Sequence, residues 1–180
     1  MFQTSVETAQ RYFDAWNRHD AGGIAATFAE TGTYADPVTP GPLTGAAIGA
    51  YAQGLWDSFP DLSFDIVSVT QNASGLVSAE WVMKGTNTGP FNGLPPTGAA
   101  VVLPGADFIR VDAGKIHSVQ GYFDSGALPR ALGLDVIVQP SHWPLRFRNQ
   151  RPCVERKHRH ARSIQHHVAG SPHGRRTGTG

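Results

Sequence analysis

GKIHSVQGYFD, residues 114–124, decides how the rest of the chain is read. Asp112, Ala113 and Gly114 form a turn that launches it, and the residues that follow alternate as a half-buried strand does. Side chains of a strand point to opposite faces with period two. Ile116, Ser118, Gln120, Tyr122 and Asp124 therefore share one predicted face, and Lys115, His117, Val119, Gly121 and Phe123 the other. The first set passes from apolar to polar and ends in a carboxylate, the pattern of a strand that starts in a core and finishes in a pocket. Burial disfavours the charged form of an acid. Asp124 is thus the nominated acid/base, with Tyr122 and Gln120 as polar helpers. The purely structural alternative makes Asp124 a cap for the turn at Ser125 and Gly126.

Outward from this strand, period two continues upstream to Pro60. Residues 64–70 and 76–86 are predicted strands joined by a turn at 72–75. Residues 99–111 form a long strand, with a bulge or bend expected at Pro104 and Gly105. Asp107 and Arg110 lie on opposite faces of it if it is regular, and the expected bulge leaves open which of them reaches the pocket. Between strands lies the insert GTNTGPFNGLPPTG, 85–98. Its glycines fit turns rather than a phosphate loop, because neither G-x-x-x-x-G-K-[ST] nor a following helix is present.

Before Pro60 the period is helical. T-x-x-E at 4–7 reads as a capping box. Val6, Ala9, Tyr12, Phe13 and Trp16 follow as an apolar stripe to about Asn17. Asp20 reads as the cap of a short second helix that ends at Gly32, and 33–36 as a brief strand. Residues 45–59 form a third helix, and 128–134 a short closing turn. Helices first and antiparallel strands afterwards describe an α+β domain. A curved sheet wrapped around three helices makes a cone with an open mouth. Tyr34, Asp36, Trp81, Phe91, Leu94, Asp107 and Arg110 are the candidate lining of that mouth. For the apolar members, plain core is the structural alternative.

The charge divides the chain. Residues 1–139 hold six Lys/Arg against thirteen Asp/Glu, and residues 140–180 hold nine against Glu155 alone, so −7 and +8 sum to the overall +1. Six of the eight histidines lie in the second part. Residues 1–138 are read as the folded domain and 139–180 as a basic, His-rich tail whose composition favours disorder. His158, His160, His166 and His167 lack the cysteine or carboxylate spacing of a structural zinc site. The tail has no aromatics beyond Trp143 and Phe147, so the signal for nucleic acid is weak. The single Cys153 excludes an internal disulfide framework. With no apolar leader and no apolar run of ~20 residues, no membrane partner is expected and a cytoplasmic location is.

PDLSF (60–64), WVMKGTNTGPFNGLPPTG (81–98), GADFIR (105–110) and GKI followed by YFD resemble the SnoaL-like polyketide cyclase family of the nuclear transport factor 2-like superfamily. The resemblance spans the body to about Gly133 and none of the tail. It implies a cone-shaped α+β barrel, a homo-oligomer, one pocket per subunit for a small hydrophobic substrate, and neither cofactor nor metal. The implied chemistry is aldol-type ring closure, with an aspartate at the position of Asp124 as acid/base. The chain departs from the family pattern in two places. The strand before the aspartate strand carries Asp107 and Arg110 rather than histidine, and Gln120 stands where many relatives carry Trp. The leading expectation is a cofactor-free cyclase or isomerase acting on a hydrophobic carbonyl compound. One alternative is a non-catalytic ligand-binding module. The other is an epoxide hydrolase built on Asp107, Arg110 and Asp124.

Overall fold

The computed structural model describes residues 4–135. Expectations about the basic tail lie outside the described residues. Helix α1 (Ser5–Asn17) starts where the capping box places it. Glu7 N–H donates to Thr4 Oγ1 at 3.2 Å and Thr4 N–H to the Glu7 carboxylate at 2.9 Å, which fills two of the donors that a helix start leaves unpaired. Its stripe buries Ala9, Tyr12, Phe13 and Trp16. Asp20 caps α2 (Ala21–Thr27) by accepting the Gly23 N–H. The chain then passes straight into β1 (Phe28–Ala35), so Gly32 lies inside a strand instead of ending the helix. It sits where the pairing of β1 is irregular. β2 (Leu43–Thr44) and α3 (Ala46–Ser58) complete the first half.

β3 (Ser63–Gln71), β4 (Leu76–Thr86), β5 (Ala100–Asp112) and β6 (Lys115–Phe123) follow, then the short α4 (Ala127–Ala131). The six strands form one curved sheet in the order β2-β1-β6-β5-β4-β3. Only β1 and β6 run parallel. This is the α+β cone of the nuclear transport factor 2-like fold, with the N-terminal helices against the concave face. An aromatic chain joins the layers: Trp16 packs edge-on against Trp56 at 5.6 Å and Phe64 at 5.5 Å, and Phe64 against Trp81 at 5.2 Å. No helix among the described residues is long and apolar enough to cross a membrane.

Two expectations about the strands are corrected. β5 has no bulge at Pro104 and Gly105, since its pairing with β4 runs unbroken from Leu76↔Arg110 to Thr86↔Ala100. Pro104 is accommodated one residue beyond Gly105↔Phe123, the last β5–β6 pair. The irregularity lies in β6 instead. Arg110 pairs with Ser118 and Val111 with Ile116, so His117 has no partner. One extra residue shifts the alternation, and every side chain beyond it changes face. Ile116, Val119 and Gly121 are buried on the concave side, while Tyr122 is exposed.

Candidate active site

A regular β5 puts Val101, Leu103, Asp107 and Ile109 on the concave face, and all four are buried. Asp107 pairs across with Gly121 on β6. On the other side of β6, Ala35 pairs with Gln120, which brings Asp36, the next residue, alongside Gly121. Two carboxyl groups thus flank one glycine on three adjacent strands. A Cβ at Gly121 would lie 3.2 Å from Asp107 Oδ1 and 3.2 Å from the Asp36 Cβ. Any side chain there would crowd the two acids, and glycine leaves the floor between them open.

The two acids have opposite surroundings. Asp36 is 7% exposed and its carboxylate is fully engaged. Oδ1 accepts the N–H groups of Val38 and Thr39, each at 2.9 Å. Oδ2 accepts the Tyr34 hydroxyl at 2.9 Å and the Tyr51 hydroxyl at 2.5 Å. Four donors match the acceptor-only inventory of an ionised carboxylate. Asp107, 4% exposed, has no hydrogen bond to its carboxyl among the described residues. Burial raises its pKa to about 7. The Trp81 indole N–H opposes that rise, and the charge of Asp36 adds to it. The indole is close enough to act on the carboxyl, yet it completes no hydrogen bond of normal geometry. Tyr12 is held neutral chiefly by burial and next by the charge of Asp107. Burial likewise leads the upward shifts of Tyr34 and Tyr51, with Asp36 contributing to both.

These groups line a cavity of about 540 Å³, a volume that suits one small-molecule ligand. Phe13, Trp16, Phe64, Trp81, Phe91 and Phe123 supply most of its aromatic wall. Of the residues nominated from sequence, Tyr34, Asp36, Trp81, Phe91 and Asp107 line it. Leu94 does not. It forms a bridge with Phe91 in the insert and is 37% exposed. Arg110 is exposed on the outer face of β5, opposite to Asp107.

The nominated catalytic trio lies outside the cavity. The bulge at His117 turns Gln120 and Tyr122 to the outer face, where Tyr122 packs edge-on against Phe108 at 5.7 Å. Gln120 Nε2 donates to the Gly121 carbonyl at 3.2 Å. Asp124 is exposed, accepts the Gly126 N–H at 2.8 Å and pairs with Arg130. The backbone bond to Gly126, then Arg130, holds its pKa below the usual carboxylate range. It is the turn cap that the structural alternative described. Sequence reading missed Tyr12 and Tyr51 as site residues because their helical spacing marks them simply as core. The available signal was the hydroxyl, since a buried tyrosine needs a polar partner.

The comparisons agree with this architecture. A SnoaL-like domain model matches residues 9–119. No curated protein sequence matches the chain. Among solved structures, a candidate polyketide cyclase from Xanthomonas campestris pv. campestris is 31% identical, with a TM-score of 0.64, covering 71% of this chain and 96% of that one. A second candidate polyketide cyclase, from Pseudomonas putida KT2440, is 27% identical, with a TM-score of 0.63 and coverage of 72% and 98%. A protein of ketosteroid isomerase-like fold from Catenulispora acidiphila shares the fold at 21% identity and a TM-score of 0.63, covering 77% of this chain and all of that one. The family model spans most of the body, from α1 to β6, and takes in both Asp36 and Asp107, so this chain belongs to the SnoaL-like family.

Proposed function

We propose that the protein is a cyclase- or isomerase-type enzyme that moves a proton at the carbon beside a carbonyl in a compact hydrophobic compound. One observation carries the reading: a carboxyl unpaired among the described residues, with a pKa near neutrality, faces a fully hydrogen-bonded carboxylate across Gly121, inside an aromatic cavity. Paired acids whose surroundings push them apart divide the roles of acid and base. Asp107, neutral below about pH 7, donates to the carbonyl oxygen. Asp36, the anion, removes the proton from the adjacent carbon after Tyr34 or Tyr51 turns its hydroxyl toward the ligand. The C–H bond breaks toward Asp36, and the oxygen gains the Asp107 proton as the enol forms. Tyr12 supplies a further neutral hydroxyl at the cavity wall. Return of the proton to another carbon isomerises the compound, and attack of the enol on a second carbonyl closes a ring. The acid/base role moves from Asp124 to this pair. The epoxide hydrolase set does not assemble, because Asp107 faces the cavity while Arg110 and Asp124 face solvent.

The four donors on Asp36 also favour a second reading, in which the site binds a carbonyl ligand without turnover. Deuterium uptake from heavy water separates the two. Hydrophobic ketones and enones of cavity size are incubated with the protein, and exchange at the carbon beside the carbonyl is followed by NMR. The enzymatic reading expects exchange that Asp36→Asn lowers by about 10²–10⁴-fold and that declines as pH rises through about 7. Ketones that bind without accelerated exchange overturn it in favour of the binding module. Homo-oligomeric assembly belongs to the same reading, supported by the exposed Val102, Phe108 and Tyr122 on the outer sheet face. Light scattering of the full chain tests it, and a monomer at working concentration counts against it.

A further inference from the structure

Two indole N–H groups are buried without a hydrogen-bond partner among the described residues, those of Trp56 and Trp81. An orphaned buried donor calls for an explanation, such as a catalytic role. Trp56 lies outside the cavity lining, with its ring stacked on the His19 imidazole at 4.9 Å. Trp81 lines the cavity and is 4% exposed. Its ring is clamped by Phe64 at 5.2 Å and Phe123 at 6.3 Å. Beneath it lies Gly105, its cross-strand partner, where a Cβ would sit 2.3 Å from the indole Cη2. Glycine therefore lets the indole lie across β5, near Asp107, two residues further along the same face.

We propose that Trp81 is a positioning residue for Asp107: its N–H is held in reserve and closes on the carboxylate once the acid has passed its proton to a bound ligand. This rests on the role given to Asp107 above. In that step the Asp107 O–H bond breaks, the ligand oxygen gains the proton, and the indole keeps its own proton while donating a hydrogen bond. The other ionisable groups around Asp107 do not fill this place. Tyr34 and Tyr51 are engaged by Asp36, and Asp36 repels the new charge. Asp57, on the α3 wall of the cavity, is an acid held by Gln53. Tyr12 from α1 lines the same cavity, and its hydroxyl makes no hydrogen bond to Asp107 among the described residues.

The test reads both partners by NMR on the full chain, with no substrate and no turnover. The Trp81 indole N–H is identified by its through-space contacts with Phe64 and Phe123, and the Asp107 carboxyl by its absence in Asp107→Asn. Across about pH 5 to 9 the indole signal is expected to move with the same midpoint as the Asp107 carboxyl. That movement disappears in Asp107→Asn. Trp81→Phe should raise the Asp107 midpoint by about one pH unit, the scale of a hydrogen bond to a charged group. An indole signal that stays still while Asp107 titrates overturns the proposal and leaves the acid/base reading standing. An Asp107 that does not titrate in this range overturns both. Should Trp81→Phe fail to fold, the comparison of native protein with Asp107→Asn still decides.

Discussion

Asp107 and Asp124 carry the same functional group in opposite surroundings, and substitution should separate them. Asp107 has a raised pKa, so the folded protein holds its proton at pH values where the unfolded chain has released it. The stability this gives is fully present below the unfolded value and is lost as pH rises from about 4 to about 7. At about 1.4 kcal/mol per pH unit, the loss is on the order of 3–5 kcal/mol. Asp107→Asn removes the buried charge, so it should be the more stable protein at about pH 8 and lose most of that advantage near pH 4. Denaturant unfolding at several pH values checks this, and equal pH dependence in the two proteins would remove the shifted acid. Asp124→Asn loses an exposed pair with Arg130 and a turn contact. It should leave proton exchange on a ketone unchanged, and a large loss of exchange would return Asp124 to the site.

At the scale of the element, the bulge in β6 decides which face of the strand holds chemistry. Deleting His117 makes Val111↔Ile116 and Arg110↔Ser118 consecutive pairs, so the bulge closes while Val119, Gly121 and Phe123 stay inward and Gln120 and Tyr122 outward. The deletion variant should therefore still unfold cooperatively in circular dichroism. His117→Ala keeps the residue count and so the bulge, and should fold normally as well. A deletion variant that loses cooperative unfolding would show that the bulge does more than set the facing of the strand. β5 makes the opposite case. Its Pro-Gly pair signalled an interruption, yet the strand runs straight, because Pro104 lies past the end of its β6 neighbour and Trp81 fills the space over Gly105.

At the scale of the molecule, we propose that the folded unit ends near Val138. The charge reverses at about that point, and α4 with the residue that follows it already seats Leu128 and Leu132 in the core. A chain ending at Val138 should melt cooperatively within a few degrees of the full chain. A large drop would show that the remainder contributes to the fold. The α+β order, the capping box, the helical stripes and the limits of β4 were legible in the sequence, because they follow from local periodicity and capping chemistry. Asp36, Asp107, Trp81 and Phe91 were legible as candidates for a pocket lining, alongside Leu94 and Arg110, which do not line it. Whether Asp107, Arg110 or Asp124 faces the pocket was not legible. A strand's facing depends on the parity of every residue before it, and the pairing of β5 with β6, which bulges out His117, is a contact between strands that no single strand encodes. The perturbed acid is likewise a product of assembly: Asp107 becomes unusual only when the aromatic walls from α1, β3 and β4 close over it and Asp36 arrives from β1.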